Sequence, residues 1–230
     1  MGRLLLVRHG QASYGAADYD VLSELGGEQS RALGRSFAER GVRPGLVLCG
    51  SLRRQEQTVA GLLDGLGEEA PVAKDPGWDE FDFHGVVEVH EPRYRDLMAD
   101  ERVFQELFEA ATGRWSSGTY DTEYSESFAA FHGRVAGVLD RAVALLAELE
   151  QGHQDIVVVS SGGPIAMAVA QLTCGAKADP VTLATVWSSL SKVIVNTGVT
   201  KIIAGSSGLW MSTYNEHTHL EGDKRMFTYR

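Results

Sequence analysis

The feature that most constrains this 230-residue chain is Leu4-Leu5-Leu6-Val7, which runs directly into Arg8-His9-Gly10-Gln11. Four aliphatic residues with no polar alternation read as a strand buried on both faces, as in a parallel sheet covered by helices. Two further runs have the same character, Leu46-Val47-Leu48-Cys49 and Ile156-Val157-Val158-Val159-Ser160. Each of the three precedes a helical pattern, the alternation that an α/β architecture needs. In such sheets ligands bind beyond the carboxyl ends of the strands. Arg8 and His9 stand at one of those ends, with Gly10 read as a sharp turn. An arginine offers a permanently charged fork suited to phosphate oxygens. A histidine beside it can serve as nucleophile, base or ligand. The plainer alternative is two polar residues facing solvent.

The remaining elements follow from periodicity. Ser13 to Asp20 is a polar loop. Glu28 to Arg40 carries Ala32, Leu33 and Phe37 on one face, with Ser23 as a cap and Gly41 as a stop. A helix opens after Cys49, around Arg53 to Ala60, and Pro71 to Lys74 forms a short strand. Between Asp75 and Glu123 the pattern is irregular, with one helical patch at Val103 to Ala111. From Phe128 to Leu149 apolar residues repeat at helical spacing, and Gly152 to Gln154 break the run. A helix from Ala166 to Thr173 and strands at Leu190 to Asn196, Val199 to Ala204 and Leu209 to Asn215 complete the chain.

Net charge is −10 and pI about 5.2, which argues against general nucleic-acid or anionic-membrane binding. Any phosphate site is therefore a local cluster of arginines in an acidic protein. Cys49 and Cys174 share no metal or redox spacing, and two thiols fit a reducing compartment. Leu4 to Val7 is too short for a signal-peptide core or a membrane span, so the expected location is cytoplasmic.

Leu6-Val7-Arg8-His9-Gly10-Gln11 resembles the signature of the histidine phosphatase superfamily, the phosphoglycerate mutase-like proteins. Three more landmarks follow in order. Leu22-Ser23-Glu24-Leu25-Gly26-Gly27-Glu28-Gln29 is similar to the family's helix after the active-site loop. Leu52-Arg53-Arg54-Gln55-Glu56-Gln57-Thr58 is similar to its Leu-x-Arg-Ala-x-Gln-Thr, with the family arginine on Arg54. Asn215 to Leu220 resembles its Asn-x-x-x-His-Leu ending. The resemblance implies one domain over residues 1–230, a three-layer α/β/α sandwich with a mostly parallel central sheet, and a lid at about 75–125. It implies His9 as phosphoryl acceptor, with Arg8 and Arg54 clamping the phosphate where a helix N-terminus also favours an anion. It implies a carboxylic acid for the leaving oxygen, best matched by Glu80 in Trp78-Asp79-Glu80-Phe81-Asp82, with Asp82 as rival. Arg93 and Arg95 on the lid are candidates for a second anionic group, with plain surface charge as the alternative.

The departure lies after the third buried strand, at Ser160-Ser161-Gly162-Gly163-Pro164. The family carries a second histidine where this chain has Ser161. A hydroxyl donates one hydrogen bond but supplies no cation. Ser161 and Gly162 nonetheless stand at a helix N-terminus suited to phosphate, and His84, His217 or His219 are candidates for the missing charge. A serine-hydrolase elbow would need glycine at position 159, which is valine. The expected function is phosphomonoester hydrolysis through a phosphohistidine on His9. The alternative is a degenerate phosphatase that binds a phosphorylated ligand without efficient turnover. A mutase would need a second anionic substrate group to be held. Expected partners are a small phosphorylated substrate or inorganic phosphate, with no nucleic acid, membrane, metal or cofactor.

Overall fold

The computed structural model describes residues 2–13, 19–98, 100–149, 155–175 and 177–229. The expected helix break at 152–154 and most of the expected loop at 13–20 lie outside these residues. In chain order the first half comprises β1 (Gly2–Arg8), α1 (Glu24–Glu39), β2 (Pro44–Cys49), α2 (Arg53–Leu66), β3 (Val72–Lys74), α3 (Phe83–His90), α4 (Tyr94–Leu97) and α5 (Glu101–Ser116). The second half comprises α6 (Phe128–Glu148), β4 (Asp155–Ser160), α7 (Gly162–Cys174), α8 (Pro180–Ser191), β5 (Val199–Gly205) and β6 (Gly208–Glu216).

The six described strands form one sheet in the order β3-β2-β4-β1-β5-β6. The first four run parallel, while β5 and β6 are antiparallel to their neighbours. The apolar runs are continuous because both faces are covered. Leu4, Leu6, Leu48, Ile156 and Val158 point to one side, into a core with α6, α7 and the aromatic residues 78–131. Leu5, Val7, Val47, Cys49, Val157 and Val159 point to the other, against α1 and α2. Successive side chains of a strand take opposite faces, so each run supplies both cores. This is a mostly parallel α/β sandwich. Ser23 and Ser127 cap α1 and α6 as side-chain acceptors.

One expected element differs. Leu190 to Asn196 is the end of α8 and a loop, not a strand. Asp179 accepts from the Thr182 N–H and Pro180 occupies the first turn, so a helix starts there. Leu183, Trp187 and Leu190 then fall on one face against the core. None of the described helices is long and apolar enough to cross a membrane.

Candidate active site

The parallel strands β1, β2 and β4 end side by side, at Arg8, Cys49 and Ser160. His9 continues β1 and is buried, 4% exposed. Its backbone is pinned from both sides. The His9 N–H donates to Ser160 O at 2.9 Å, and His9 O accepts from Asn196 Nδ2 at 3.1 Å. Gly10 is required by close approach and not by a left-handed turn: a Cβ there would lie 2.4 Å from Gly26 O. The Gly10 N–H donates to Thr58 Oγ1, which ties this loop to α2.

The imidazole is held in one tautomer. His9 Nδ1 lies 2.7 Å from Gly10 O. A carbonyl only accepts, so Nδ1 carries the proton and Nε2 the lone pair. Arg54 Nε donates to that Nε2 at 3.2 Å. Burial, then the charges of Arg54 and Arg8, hold the His9 ring well below the ordinary histidine range. A neutral ring with its lone pair on Nε2 is the form a nucleophile needs.

Arg8 and Arg54 flank this ring. Arg8 Nη1 donates to Ile194 O at 2.6 Å, and its buried Nε has no acceptor among the described residues. Arg54 is 7% exposed. Its Nη1 pairs with Asp20 Oδ1 at 2.6 Å, and its guanidinium lies 5.5 Å from the centre of the Tyr19 ring. Asp20 Oδ2 also accepts from the Arg53 N–H at 2.9 Å. The first amide of α2 thus faces a carboxylate from the chain itself. Neither Asp20 nor Tyr19 stands out in sequence, because their loop has no periodic pattern.

Glu80 approaches from the other side. Its Oε2 accepts from the Gly163 N–H and its Oε1 from the Phe81 N–H, both at 3.2 Å. A Cβ on Gly163 would lie 2.2 Å from Glu80 Oε1, so only glycine admits the carboxyl there. Burial pushes the Glu80 carboxyl up, while the two amides, Arg54 and Arg8 pull the other way. Asp82 is exposed and caps α3 through the Gly85 N–H at 3.0 Å.

Ser161 is fully buried at the head of α7 and does not cap its own helix. Its Oγ accepts from Gln55 Nε2 at 3.0 Å. Gly162 lies beside Arg8, with a Cβ there 3.8 Å from Arg8 Nε. Gln55 is a site residue that the sequence reading passed over. The available signal is its place on the buried face of α2 with Thr58, Val59, Leu62 and Leu66.

The remaining expected residues have other bonding partners. Arg93 and Arg95 are exposed, and Arg95 lies over the Tyr94 ring at 5.2 Å. His84 Nδ1 bonds Tyr94 Oη at 2.9 Å, and burial lowers its pKa. His217 bonds Asn215 O, and His219 bonds Thr197 Oγ1. His219 is pushed down to about 4, chiefly by burial, so it supplies no cation near neutrality. Among the described residues no group of histidine, cysteine or carboxylate side chains is arranged to hold a metal ion.

A model of the histidine phosphatase superfamily (branch 1) matches residues 4–204. The 2,3-bisphosphoglycerate-dependent phosphoglycerate mutase of Rhizobium meliloti is 29% identical over 110 residues, 44% of this chain and 52% of that protein. The match therefore spans about half the length of that relative. Among solved structures, a phosphoglycerate mutase from Bacillus anthracis superposes with a TM-score of 0.65 at 18% identity, covering 96% of this chain and 95% of that one. A mycobacterial glucosyl-3-phosphoglycerate phosphatase in complex with VO3 gives 0.63 at 22% identity, covering 94% and 100%. An Entamoeba histolytica phosphoserine phosphatase in complex with 3-phosphoglyceric acid gives 0.64 at 19%, covering 96% and 100%. At these identities the solved structures show a shared fold.

Proposed function

The chain belongs to the histidine phosphatase superfamily, and from that membership we propose that it is a phosphomonoesterase working through a phosphohistidine on His9. The observation that supports this reading is the His9 ring itself: its proton is committed to Gly10 O, and its Nε2 carries the lone pair, which faces the Arg54 guanidinium. Arg8 and Arg54 bind the phosphoryl oxygens, with Arg8 Nε as the donor still without an acceptor. Ser161 and the backbone at Gly162 assist. Residues 75–125 act as the lid, and the substrate is a small phosphorylated molecule.

His9 Nε2 attacks phosphorus in line, the bond from phosphorus to the ester oxygen breaks, and the Glu80 carboxyl gives its proton to the leaving oxygen. Water then attacks phosphorus, the Glu80 carboxylate takes a proton from it, and the Nε2–P bond breaks. Inorganic phosphate leaves, and His9 returns neutral. Little covalent work falls to the protein beyond the nucleophile, so positioning and charge supply most of the acceleration.

Trapping with a radiolabelled phosphomonoester followed by peptide mapping tests the reading. An acid-labile label on His9 is expected; a label on Ser161 overturns the mechanism. A second reading, a protein that binds phosphate esters without turning them over, is favoured by one observation: at position 161 the site offers a hydroxyl bonded to Gln55 and no cation. Tight phosphate binding with no label on any residue would select it.

A further inference from the structure

Three successive carbonyls lead up to Glu80, and each is held by side-chain donors. Arg134 Nη1 donates to Gly77 O at 2.9 Å and to Asp79 O at 2.8 Å. Trp78 O between them accepts from Ser160 Oγ at 2.6 Å and Gln55 Nε2 at 3.2 Å. The Trp78 ring is fully buried, and the Asp79 carboxylate accepts from the Ser51 N–H at 2.6 Å. Ser160, Gln55 and Ser51 belong to the strand ends and the start of α2, so they come with the phosphate site. Arg134 does not. It projects from the second turn of α6, and its other edge makes a two-pronged pair with Glu126, Nε at 2.6 Å and Nη2 at 2.8 Å. It is half-buried, and its guanidinium lies 5.2 Å from the centre of the Phe131 ring.

A guanidinium bonded on both edges has a fixed orientation. Here the fixed group grips the peptide on either side of Trp78, and the next residue carries the carboxyl. We propose that Arg134, oriented by Glu126, is a positioning residue for Glu80: it sets the distance from that carboxyl to the leaving oxygen and does not touch substrate. The proposal rests on Glu80 being the acid of the mechanism above, which protonates the leaving oxygen as the ester bond breaks. Proton donation matters most where the departing oxygen is a poor leaving group, and little where it is an acidic phenol. A loosened Glu80 therefore leaves a signature that general unfolding does not.

The test is kcat/KM, which reports transfer to His9, for wild type, Arg134→Met, Glu126→Gln and Glu80→Gln on p-nitrophenyl phosphate and on an alkyl phosphate. Glu80→Gln should lose about a hundredfold or more on the alkyl ester and a few-fold on the nitrophenyl ester. Arg134→Met should show the same selectivity, with about a tenfold or greater loss on the alkyl ester and less than about threefold on the other, because small misplacements are costly only to the step they serve. Glu126→Gln should fall between Arg134→Met and wild type, and vanadate inhibition should hold within about twofold in both. Equal losses on both substrates in Arg134→Met and Glu126→Gln, with Glu80→Gln still selective, would overturn the proposal and leave Glu80 as the acid. Equal losses in Glu80→Gln would remove Glu80 as the acid, and the proposal would fall with it. If Arg134→Met does not fold, Glu126→Gln decides on the same criterion.

Discussion

His9 and His219 are both withdrawn from water, and burial depresses both rings toward the neutral form. Their surroundings differ. His219 Nε2 bonds Thr197 Oγ1 at 2.9 Å, and Thr197 Oγ1 already donates to Asn196 O, so Nε2 must carry the proton. Its buried Nδ1 has no hydrogen-bond partner among the described residues, and the charged or titratable groups acting on it are Glu216, Arg40 and His217. His9 has the opposite tautomer and two guanidiniums. Desolvation alone makes a neutral imidazole; cations beside the unprotonated nitrogen make one that an anionic phosphoryl group can approach. His219 instead braces the site from behind. Thr197 N–H donates to Arg8 O at 3.0 Å, so the His219 bond reaches the backbone beside His9.

The sharpest break in this comparison is at the proposed nucleophile. His9→Ala should lower kcat on an aryl phosphate by about 10⁴-fold or more, as removal of nucleophiles does elsewhere. His219→Gln keeps a donor for Thr197 Oγ1 and should stay within about threefold. Comparable losses in the two variants would show that the flanking arginines do not define the reactive histidine. The arginines come next. Arg8→Ala or Arg54→Ala removes a charge-assisted contact worth about 1.5–3 kcal/mol, so vanadate inhibition should weaken roughly ten- to hundred-fold. Unchanged inhibition in both would place the clamp elsewhere.

The two histidine regions were unequally legible in the sequence. The strand end at Arg8-His9 and the helix start at Arg54 are readable because a continuous apolar run fixes where the chain stops being core. The parallel sheet is readable for the same reason, since Leu4 to Val7 has no polar face to show water. The lost strand at Leu190 to Asn196 failed because its apolar residues serve α8 at helical spacing. Glu80 and Asp82 both carry carboxyls on irregular chain, and only the backbone tells a helix cap from a group turned to the arginines. Gln55 and Arg134 act through contacts 23 to 106 residues away in sequence, which no local pattern encodes.

The Ser161 region sharpens the contrast from the other direction, by asking what an added imidazole would do. A histidine at 161 would bring the cation that a hydroxyl lacks. Ser161 is fully buried and bonded to Gln55, so Ser161→His alone overpacks, costing about 1–3 kcal/mol of stability with no gain in rate. Pairing it with Gln55→Ala frees volume, and Ser160 Oγ still holds Trp78 O. The double variant should gain up to about tenfold in kcat on an aryl phosphate, part of what a preorganised donor contributes. A gain in the single variant would show room beside Ser161 that its contacts deny.

The smallest effect concerns stability and isolates His219. Its pKa is about 4 in the folded protein against about 6.5 unfolded. Between those values the unfolded chain binds the proton and the native state does not, so stability falls as pH drops. The contribution is fully present above about pH 6.5 and is lost progressively down to about pH 4. From pH 7 to pH 5.5 this one ring accounts for about 1 kcal/mol. Urea unfolding at those two pH values should show a smaller pH difference in His219→Gln than in wild type, by about that amount. His9 acts with the same sign and remains in both proteins, so the comparison subtracts it. The rate behaves otherwise. On the proposed mechanism the acid limb of kcat/KM reports a proton on His9 Nε2; it should lie below the ordinary histidine range because burial, then Arg54 and Arg8, oppose that proton, and it should not move in His219→Gln. A shift of that limb together with the stability slope would mean that the two rings titrate as one system. Movement of the stability slope alone would assign acid sensitivity of the fold to the ring behind Thr197, and acid sensitivity of the chemistry to the ring between the arginines.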